Sequence, residues 1–139
     1  MEHRVFVYGT LRRGEVNHRL LSGADPLGEH RTEPCFSLYD LGPYPGLTRH
    51  GKTAILGEVY RTNSACLRRL DRLEDYPRLY TRVQIPTPWG PAWIYCYRGH
   101  IRDRPLIRSG DWRARMETLA GKGTRSRRDA KTRPGSARR

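Results

Sequence analysis

The sequence predicts an α+β domain followed by a basic segment that has no core of its own. Three observations support this fold class. Short runs of β-branched and aromatic residues read as strands, among them residues 5–8, 80–85 and 92–97. Apolar residues recur at helical spacing between residues 65 and 74. From Gly121 onward the chain contains no large apolar side chain, so that part cannot build a core.

Length and composition fit one globular domain. The chain has 139 residues, of which 36% are hydrophobic and 29% charged. No apolar run approaches the ~18 residues that a membrane-spanning helix needs. The segment Met1–Arg4 leads directly into a strand and offers no small-residue cleavage site, so we expect no signal peptide. These features predict a cytoplasmic protein without a membrane partner.

The net charge of +13 is unevenly distributed. Residues 119–139 contain eight Lys or Arg residues against Asp129 alone, so +7 lies in that segment and only +6 in the first 118 residues. We therefore expect a folded domain over residues 1–118 and a disordered basic tail over residues 119–139. The tail is a candidate for weak binding to polyanions, and a merely solvating tail is an equal alternative.

Cysteines and histidines show no pattern typical of a metal site. The three cysteines are odd in number and widely spaced, which gives neither a disulfide framework nor a CxxC pair. The five histidines are scattered along the chain, and no nucleophile–His–Asp arrangement is visible. We therefore expect no metal and no cofactor.

The first strand ends at a glycine loop that we place at the centre of the protein. The apolar run from Val5 stops at Tyr8-Gly9, and a second glycine follows at Gly14. Bare backbone N–H groups after such a strand are suited to bind a small anion, and a glycine permits close approach of a ligand. The alternative is that Gly9 only allows the chain to turn.

Residues 15–52 carry weaker signals. Glu15–Leu21 reads as a short helix with Val16 and Leu20 turned inward and Asn17 turned outward. Cys35–Tyr39 alternates like a half-buried strand.

A proline-framed segment follows. Gly42–Leu47 reads as a rigid turn, because its two prolines fix φ and remove two backbone donors. Tyr44, which lies between the prolines, is a candidate wall of a pocket, and a purely structural corner is the alternative.

The second half of the chain is clearer. Ala54–Tyr60 predicts a strand, and a helix follows from about Ala65 to Glu74, capped by Thr62, Asn63 or Ser64. The run 92–97 is apolar on both faces, which favours a strand in the interior of a sheet.

One carboxylate of the predicted helix faces the core. On a helical wheel Glu74 lies ~50° from the mean direction of the apolar side chains, whereas Asp71 is just past the edge and Asp75 is on the far side. Partial burial and the negative end of the helix dipole both disfavour a charged Glu74, which is typical of a general acid/base. The alternative is a structural ion pair with Arg78 or Arg82. Substitution of Asp71 or Asp75 is expected to leave most activity intact. The apolar face itself is formed by Cys66, Leu67, Leu70 and Leu73.

Several segments resemble the γ-glutamylcyclotransferase-like family, which includes the γ-glutamylamine cyclotransferases and the avirulence-induced group; among them is the Tyr-Pro-Gly-Leu stretch at residues 44–47. Tyr8-Gly9-Thr10-Leu11, followed by Arg12-Arg13-Gly14, is similar to the family's signature loop. Gly-Glu-Val-Tyr at 57–60 and Ser-Gly-Asp-Trp at 109–112 resemble two further family segments. Leu70–Glu74, with Pro77 and Tyr80 after it, resembles the segment that carries the family's catalytic glutamate. The resemblance covers residues 4–113 and excludes the tail.

The resemblance implies a fold, a reaction and a set of site residues. The implied fold is a small mixed-strand β-barrel flanked by short helices. The implied reaction releases 5-oxoproline and a free amine from a small γ-glutamyl-amine or γ-glutamyl-amino-acid substrate, without a metal or cofactor. Glu74 would be the catalytic acid/base, the loop of Tyr8, Gly9, Thr10 and Leu11 would bind the substrate, and Tyr80 would hydrogen-bond near the site.

Two other function classes remain in view. The first is a family member that has lost catalysis and serves as an interaction domain; the presence of both the loop and Glu74 argues against it. The second is a nucleic-acid-binding protein that uses the basic tail. Base-stacking aromatics would then alternate with basic residues on an exposed sheet face, whereas here they lie within apolar strands.

Overall fold

The computed structural model describes residues 2–115, which form an α+β fold of seven strands and one α-helix. The strands are β1 (Glu2–Val7), β2 (Asp25–Arg31), β3 (Phe36–Asp40), β4 (Pro45–Thr53), β5 (Leu56–Asn63), β6 (Tyr80–Ile85) and β7 (Ala92–Tyr97). The α-helix is α1 (Ser64–Leu73), and two 3₁₀ turns cover His18–Leu21 and Trp112–Ala114.

Five of the strands form one open sheet in the order β2-β5-β1-β7-β6. β1 and β7 run parallel, whereas the other neighbouring pairs are antiparallel. β3 and β4 form a separate two-stranded hairpin, and β3 is also joined to the later chain by a bridge between Tyr39 and Leu106. The α+β class is therefore confirmed. The barrel is not, because β2 and β6 are the free edges of the sheet within the described residues.

The sheet is covered on both faces, and the alternation of side chains along each strand divides the core in two. On β1, Phe6 packs on the side of the hairpin, with Leu38 and Leu47. Val5 and Val7 point the other way, toward α1. The central strands are thus apolar on both faces, and β7 lies in the interior of the sheet between β1 and β6, as predicted.

The second half of the chain follows the prediction closely. β6 and β7 have the expected bounds, and α1 is displaced by a single residue. Of the three candidate caps it is Asn63 whose side-chain oxygen accepts the N–H of Cys66, at 2.9 Å.

The weakly patterned residues 15–52 differ from the prediction. The region contains β2 and β4, which were not predicted; β4 begins at Pro45, inside the expected turn. The predicted helix over 15–21 is wrong beyond one 3₁₀ turn, since Val16 is exposed and Asn17 is buried. Tertiary hydrogen bonds of Asn17, described below, override the apolar spacing there.

Two sequence predictions lie outside the described residues. These are the domain boundary at 118 and the tail over residues 119–139. Within residues 2–115, no helix combines the length and the apolar character that crossing a membrane requires.

Candidate active site

A cavity opens at the end of β1, where five parts of the chain meet. These are the loop after β1, the end of α1, the beginning of β4, the beginning of β6 and the middle of β7. Its walls are formed by Phe6, Val7, Tyr8, Gly9, Thr10, Leu11, Tyr44, Pro45, Glu74, Tyr80 and Tyr95. Every predicted site residue is in this set, together with Tyr44, the predicted candidate for a pocket wall.

The carbonyl groups of Gly9 and Thr10 accept hydrogen bonds from backbone N–H groups that follow them in the chain. The Gly9 carbonyl accepts the N–H of Arg12 at 3.0 Å, and the Thr10 carbonyl accepts the N–H of Asn17 at 2.9 Å. In a planar trans peptide the N–H points opposite to the carbonyl, so the N–H groups of Thr10 and Leu11 point away from these partners. Within residues 2–115 neither N–H donates a hydrogen bond to another protein group. The loop therefore carries buried donors beside the cavity.

Asn17 holds the loop in place through hydrogen bonds to Thr10. Besides its backbone bond to Thr10, its side-chain amide donates to the Thr10 hydroxyl at 3.0 Å. The next residue, His18, contacts the Leu11 carbonyl through Nδ1 at 3.0 Å. These bonds explain why the polar Asn17 is buried, and they hold two successive residues of the loop, Thr10 and Leu11, in one conformation.

Gly9 is required by close packing. A Cβ atom built on Gly9 would lie 2.5 Å from Cγ of Pro45 and 2.8 Å from its Cδ. Its φ is not in the left-handed region, in contrast with Gly14 at φ +86°. Gly9 thus lets the loop approach β4, and Gly14 is the residue that serves the turn.

Glu74 lies where α1 ends, buried to 8% exposure. The helix closes with a Schellman motif, in which Asp75 has a left-handed φ of +54°. The N–H of Tyr76 reaches the Asp71 carbonyl at 2.9 Å, and the N–H of Asp75 reaches the Arg72 carbonyl at 3.2 Å. The motif reverses the chain directly after Glu74, so the glutamate is part of the cavity wall.

In the part of the chain that the structure describes, the two arginines considered as partners of Glu74 bind other carboxylates. Arg78 pairs with Asp75 at 3.1 Å on the surface, and Arg82 pairs with Asp71 at 2.9 Å. The two arginines considered as partners for Glu74 thus bind the two neighbouring carboxylates of the same segment.

A second polar group, the pair of Asp71 and Arg82, involves the helical turn that precedes Glu74. Asp71 accepts two hydrogen bonds from Arg82, at 2.9 and 3.1 Å, and one from the Tyr95 hydroxyl at 2.6 Å. The Arg82 guanidinium is stacked between the rings of Tyr76 and Trp93, with centroids 4.5 and 4.3 Å away. The partly buried position of Asp71 agrees with its place at the edge of the apolar face, but its bonds to Arg82 and Tyr95 give its substitution a larger expected effect than the sequence alone suggested.

Tyr95 is held in its protonated form. Burial raises the pKa of Tyr95, and the hydrogen bond to Asp71 raises it further, with a smaller contribution from the nearby charge of Glu74. For Arg82, burial opposes the charge, but the hydrogen bonds to Asp71 outweigh it and raise the pKa of Arg82. The pair thus stays ionised beside a neutral phenol.

Two further tyrosines brace the walls of the cavity. The Tyr8 hydroxyl donates to the Tyr95 carbonyl at 2.7 Å, and the Tyr80 hydroxyl donates to the Pro45 carbonyl at 2.7 Å. Tyr8 joins the loop to β7, and Tyr80 joins β6 to β4. Within residues 2–115 no group of three or more His, Cys, Asp or Glu side chains is arranged to hold a metal ion.

Sequence reasoning missed Tyr95, Pro45 and the Asp71–Arg82 pair. Tyr95 lies in a strand whose apolar pattern gives no hint that one ring faces a cavity. Asp71 and Arg82 are eleven residues apart, across a helix end and a turn. The opposite charges on either side of Pro77 are the one signal that could have suggested their pairing.

Comparison with known proteins bears on the whole domain. The sequence profile of a family described as gamma-glutamyl cyclotransferase, AIG2-like, matches residues 5–114. A Vibrio cholerae protein that carries a gamma-glutamylcyclotransferase name is 51% identical over 116 residues, which cover 84% of this chain and 100% of that protein.

Two solved structures share the fold. A Pyrococcus horikoshii protein superposes with a TM-score of 0.72 at 30% identity, covering 87% of this chain and 98% of that one. An AIG2-like protein of Mus musculus superposes with a TM-score of 0.68 at 28% identity, covering 79% and 88%. With a matching profile over residues 5–114 and relatives that it covers nearly end to end, the chain belongs to the gamma-glutamyl cyclotransferase, AIG2-like family.

Proposed function

We propose that this protein cleaves γ-glutamyl amines or γ-glutamyl amino acids to 5-oxoproline and a free amine, with Glu74 as the acid/base. The observation that carries the proposal is that unpaired backbone donors and one buried carboxylate line the same cavity. A γ-glutamyl substrate has a carboxylate for the first and an ammonium group for the second.

The loop is suited to the α-carboxylate of the substrate. Consecutive N–H groups that share one side of a turn form a concave anion site. Those of Thr10 and Leu11 are buried and already oriented, so binding requires little reorganisation. The absence of a side chain on Gly9 keeps this part of the loop in contact with Pro45.

Glu74 is suited to move protons within the bound substrate. It is buried at the end of α1, close to the neutral Tyr95. A carboxylate at this position can take a proton from the α-ammonium group, which frees the nitrogen to act as a nucleophile.

The reaction is an intramolecular acyl transfer that balances without a cofactor. The α-nitrogen bonds to the γ-carbonyl carbon, a five-membered ring closes, and the bond from that carbon to the leaving nitrogen breaks. Of the two protons that the ammonium group loses, Glu74 passes one to the leaving nitrogen, and solvent carries the other to the amine product. The chief task of the cavity is to fold the substrate so that its two ends meet.

A substrate panel tests the proposal. The full-length protein is incubated with γ-glutamyl derivatives of amino acids, alkylamines, polyamines and the lysine side chain, and 5-oxoproline and amine are quantified by mass spectrometry. We expect at least one compound to give both products in equal amounts. The matched α-glutamyl isomers are the control, because their γ-carboxyl group carries no leaving amine. If no γ-glutamyl compound is turned over faster than in buffer, the proposed activity is wrong.

A further inference from the structure

Three of the segments that resemble the family meet at one buried arginine outside the cavity. Arg12, from the signature loop, has a side chain that is 2% exposed. Its Nε donates to Glu58 Oε2 at 3.1 Å, and its Nη1 donates to Asp111 Oδ1 at 3.0 Å. Glu58 belongs to Gly-Glu-Val-Tyr and Asp111 to Ser-Gly-Asp-Trp. The proposed reaction uses none of these three residues.

We infer that Arg12 is a positioning residue, which holds the backbone donors of the loop in the orientation that binds the substrate carboxylate. The inference rests on the proposed function of the loop. The N–H of Arg12 closes the turn onto the Gly9 carbonyl at 3.0 Å, so Arg12 is the last residue of the turn that carries these donors. Its side chain therefore fixes one end of that turn.

Glu58 holds the loop at two points. One oxygen binds the Arg12 side chain, while the other accepts the N–H of Arg13 at 2.9 Å and the hydroxyl of Tyr60 at 2.9 Å. Burial alone would raise the pKa of Glu58, but these donors outweigh it and hold the pKa below its ordinary value. The carboxylate is thus ionised, and it ties both the side chain and the backbone of the loop to β5.

Asp111 holds the guanidinium of Arg12 from a second direction. Its carboxylate also accepts the N–H of Arg113 at 3.0 Å, which caps the 3₁₀ turn at Trp112–Ala114. The planar guanidinium of Arg12 is thereby held between β5 and a segment near the end of the described chain. Charge-assisted bonds in two directions restrict both position and rotation. Buried ion pairs contribute little net stability compared with apolar packing, so we assign this one to geometry.

The test compares a carboxylate with its neutral isostere. Turnover is measured for a γ-glutamyl substrate and for the same compound with its α-carboxylate converted to a carboxamide, in wild type, Arg12→Lys and Asp111→Asn. We expect the preference of wild type for the carboxylate, as a ratio of kcat/KM values, to fall about tenfold or more in both variants. A role in stability alone would lower both substrates equally and leave that ratio unchanged.

Glu29→Gln is the matched control. Glu29 also approaches Arg12, but only to 4.0 Å, and its side chain is 68% exposed. We expect it to keep the wild-type ratio. Asp111→Asn leaves the pair of Arg12 with Glu58 in place, so it is informative even if Arg12→Lys does not fold. If Asp111→Asn folds and keeps the full preference, the inference is overturned.

A binding measurement separates this inference from the proposed function. The affinities of 5-oxoproline and its carboxamide are compared by calorimetry in the same proteins. Preferential binding of 5-oxoproline that Arg12→Lys or Asp111→Asn abolishes supports the positioning role even if no γ-glutamyl compound is turned over. Turnover by wild type with an unchanged ratio in both variants refutes the positioning role and leaves the proposed function intact. If wild type neither prefers 5-oxoproline nor shows turnover, both are wrong.

Discussion

The two polar walls of the cavity are each supported by an arginine, but in different ways. At the loop, Arg12 is fully buried and binds Glu58 and Asp111 from segments far away in the sequence. At the end of α1, Arg82 binds Asp71 while its guanidinium is stacked between two rings. The loop offers backbone donors, whose direction must be fixed from outside. The helix end offers one side chain, Glu74, and for proton transfer the environment of its carboxylate matters more than its exact orientation.

The comparison predicts different consequences when each wall is altered. Changes at the helix end should affect the chemical step, and changes at the loop should affect substrate binding. The split between kcat and KM distinguishes the two, because an interaction made only in the transition state alters kcat.

The largest effect is expected for Glu74→Gln. Glutamine keeps the size of the side chain but cannot accept the ammonium proton, so kcat should fall by about 10²–10⁴-fold. KM should change little, because the loop is proposed to bind the carboxylate. Steady-state kinetics on the best γ-glutamyl substrate measures both. Asp75→Asn is the control: its side chain is exposed, and asparagine tolerates the left-handed φ. Near wild-type turnover by Glu74→Gln would show that another group moves the protons.

Gly9→Val should produce the complementary result at the loop. A β-branched side chain would collide with Pro45, whose carbonyl accepts the Tyr80 hydroxyl, so the loop and β4 would be forced apart. We expect KM to rise about tenfold or more, with overpacking costing roughly 1–3 kcal/mol of stability.

Gly14→Ala is the matched control for Gly9→Val. Gly14 has φ +86°, so alanine strains the turn, yet Gly14 is not part of the cavity wall. This variant should lose stability and keep its KM. Circular dichroism and kinetics on both variants decide between the two interpretations of Gly9. Unfolding of Gly9→Val would favour a purely structural role for Gly9, whereas a folded Gly9→Val protein that binds substrate normally would refute the proposed role of the loop in binding.

Asp71→Asn should have an intermediate effect. Asparagine keeps an oxygen for the Tyr95 hydroxyl but loses the ion pair with Arg82, which then remains partly buried without its partner charge. We expect kcat to fall about tenfold and the free energy of unfolding to fall by about 1–3 kcal/mol. Steady-state kinetics measures kcat and chemical denaturation measures the free energy of unfolding, with Asp75→Asn again as the control. Full activity in Asp71→Asn would mean that the pair behind Glu74 is structural only.

The smallest effect concerns the pH dependence of stability at the loop. The pKa of Glu58 is lower in the folded protein than its ordinary value of 4.5, so the folded state binds fewer protons in acid. The resulting stabilisation is complete above about pH 4.5 and is lost as pH falls through the folded pKa. Glu58→Gln should therefore melt several degrees below wild type at pH 7, and the difference should shrink below about pH 4.

Thermal melts from pH 3 to pH 8 test this expectation. Glu29→Gln, at an exposed position, should show a small difference that hardly varies with pH. A difference for Glu58→Gln that stays constant across the whole range would contradict an ionised, stabilising Glu58.

Part of the site could be predicted from the sequence because its signals are local. The strand ending at Gly9, the inward position of Glu74 on the helix and the bounds of β6 and β7 follow from spacing over a few residues. The resemblance added that the loop and Glu74 belong to one family pattern. That the loop and Glu74 line a single cavity could be seen only in the structure. Residues 9 and 74 are far apart in the sequence, and the order of the strands in the sheet brings them together.

The sequence by itself determined the α+β class, the apolar centre of the sheet and the carboxylate at the end of α1, since each depends on local period and burial. Tertiary structure alone decided that the sheet stays open and that Asn17 is buried. It also decided that Gly9 is required by Pro45, and that Asp71 pairs with Arg82. The physical reason is that a buried polar group must find a hydrogen-bond partner wherever the fold places one. Arg12 finds Glu58 and Asp111 at separations of 46 and 99 residues, which no local pattern encodes.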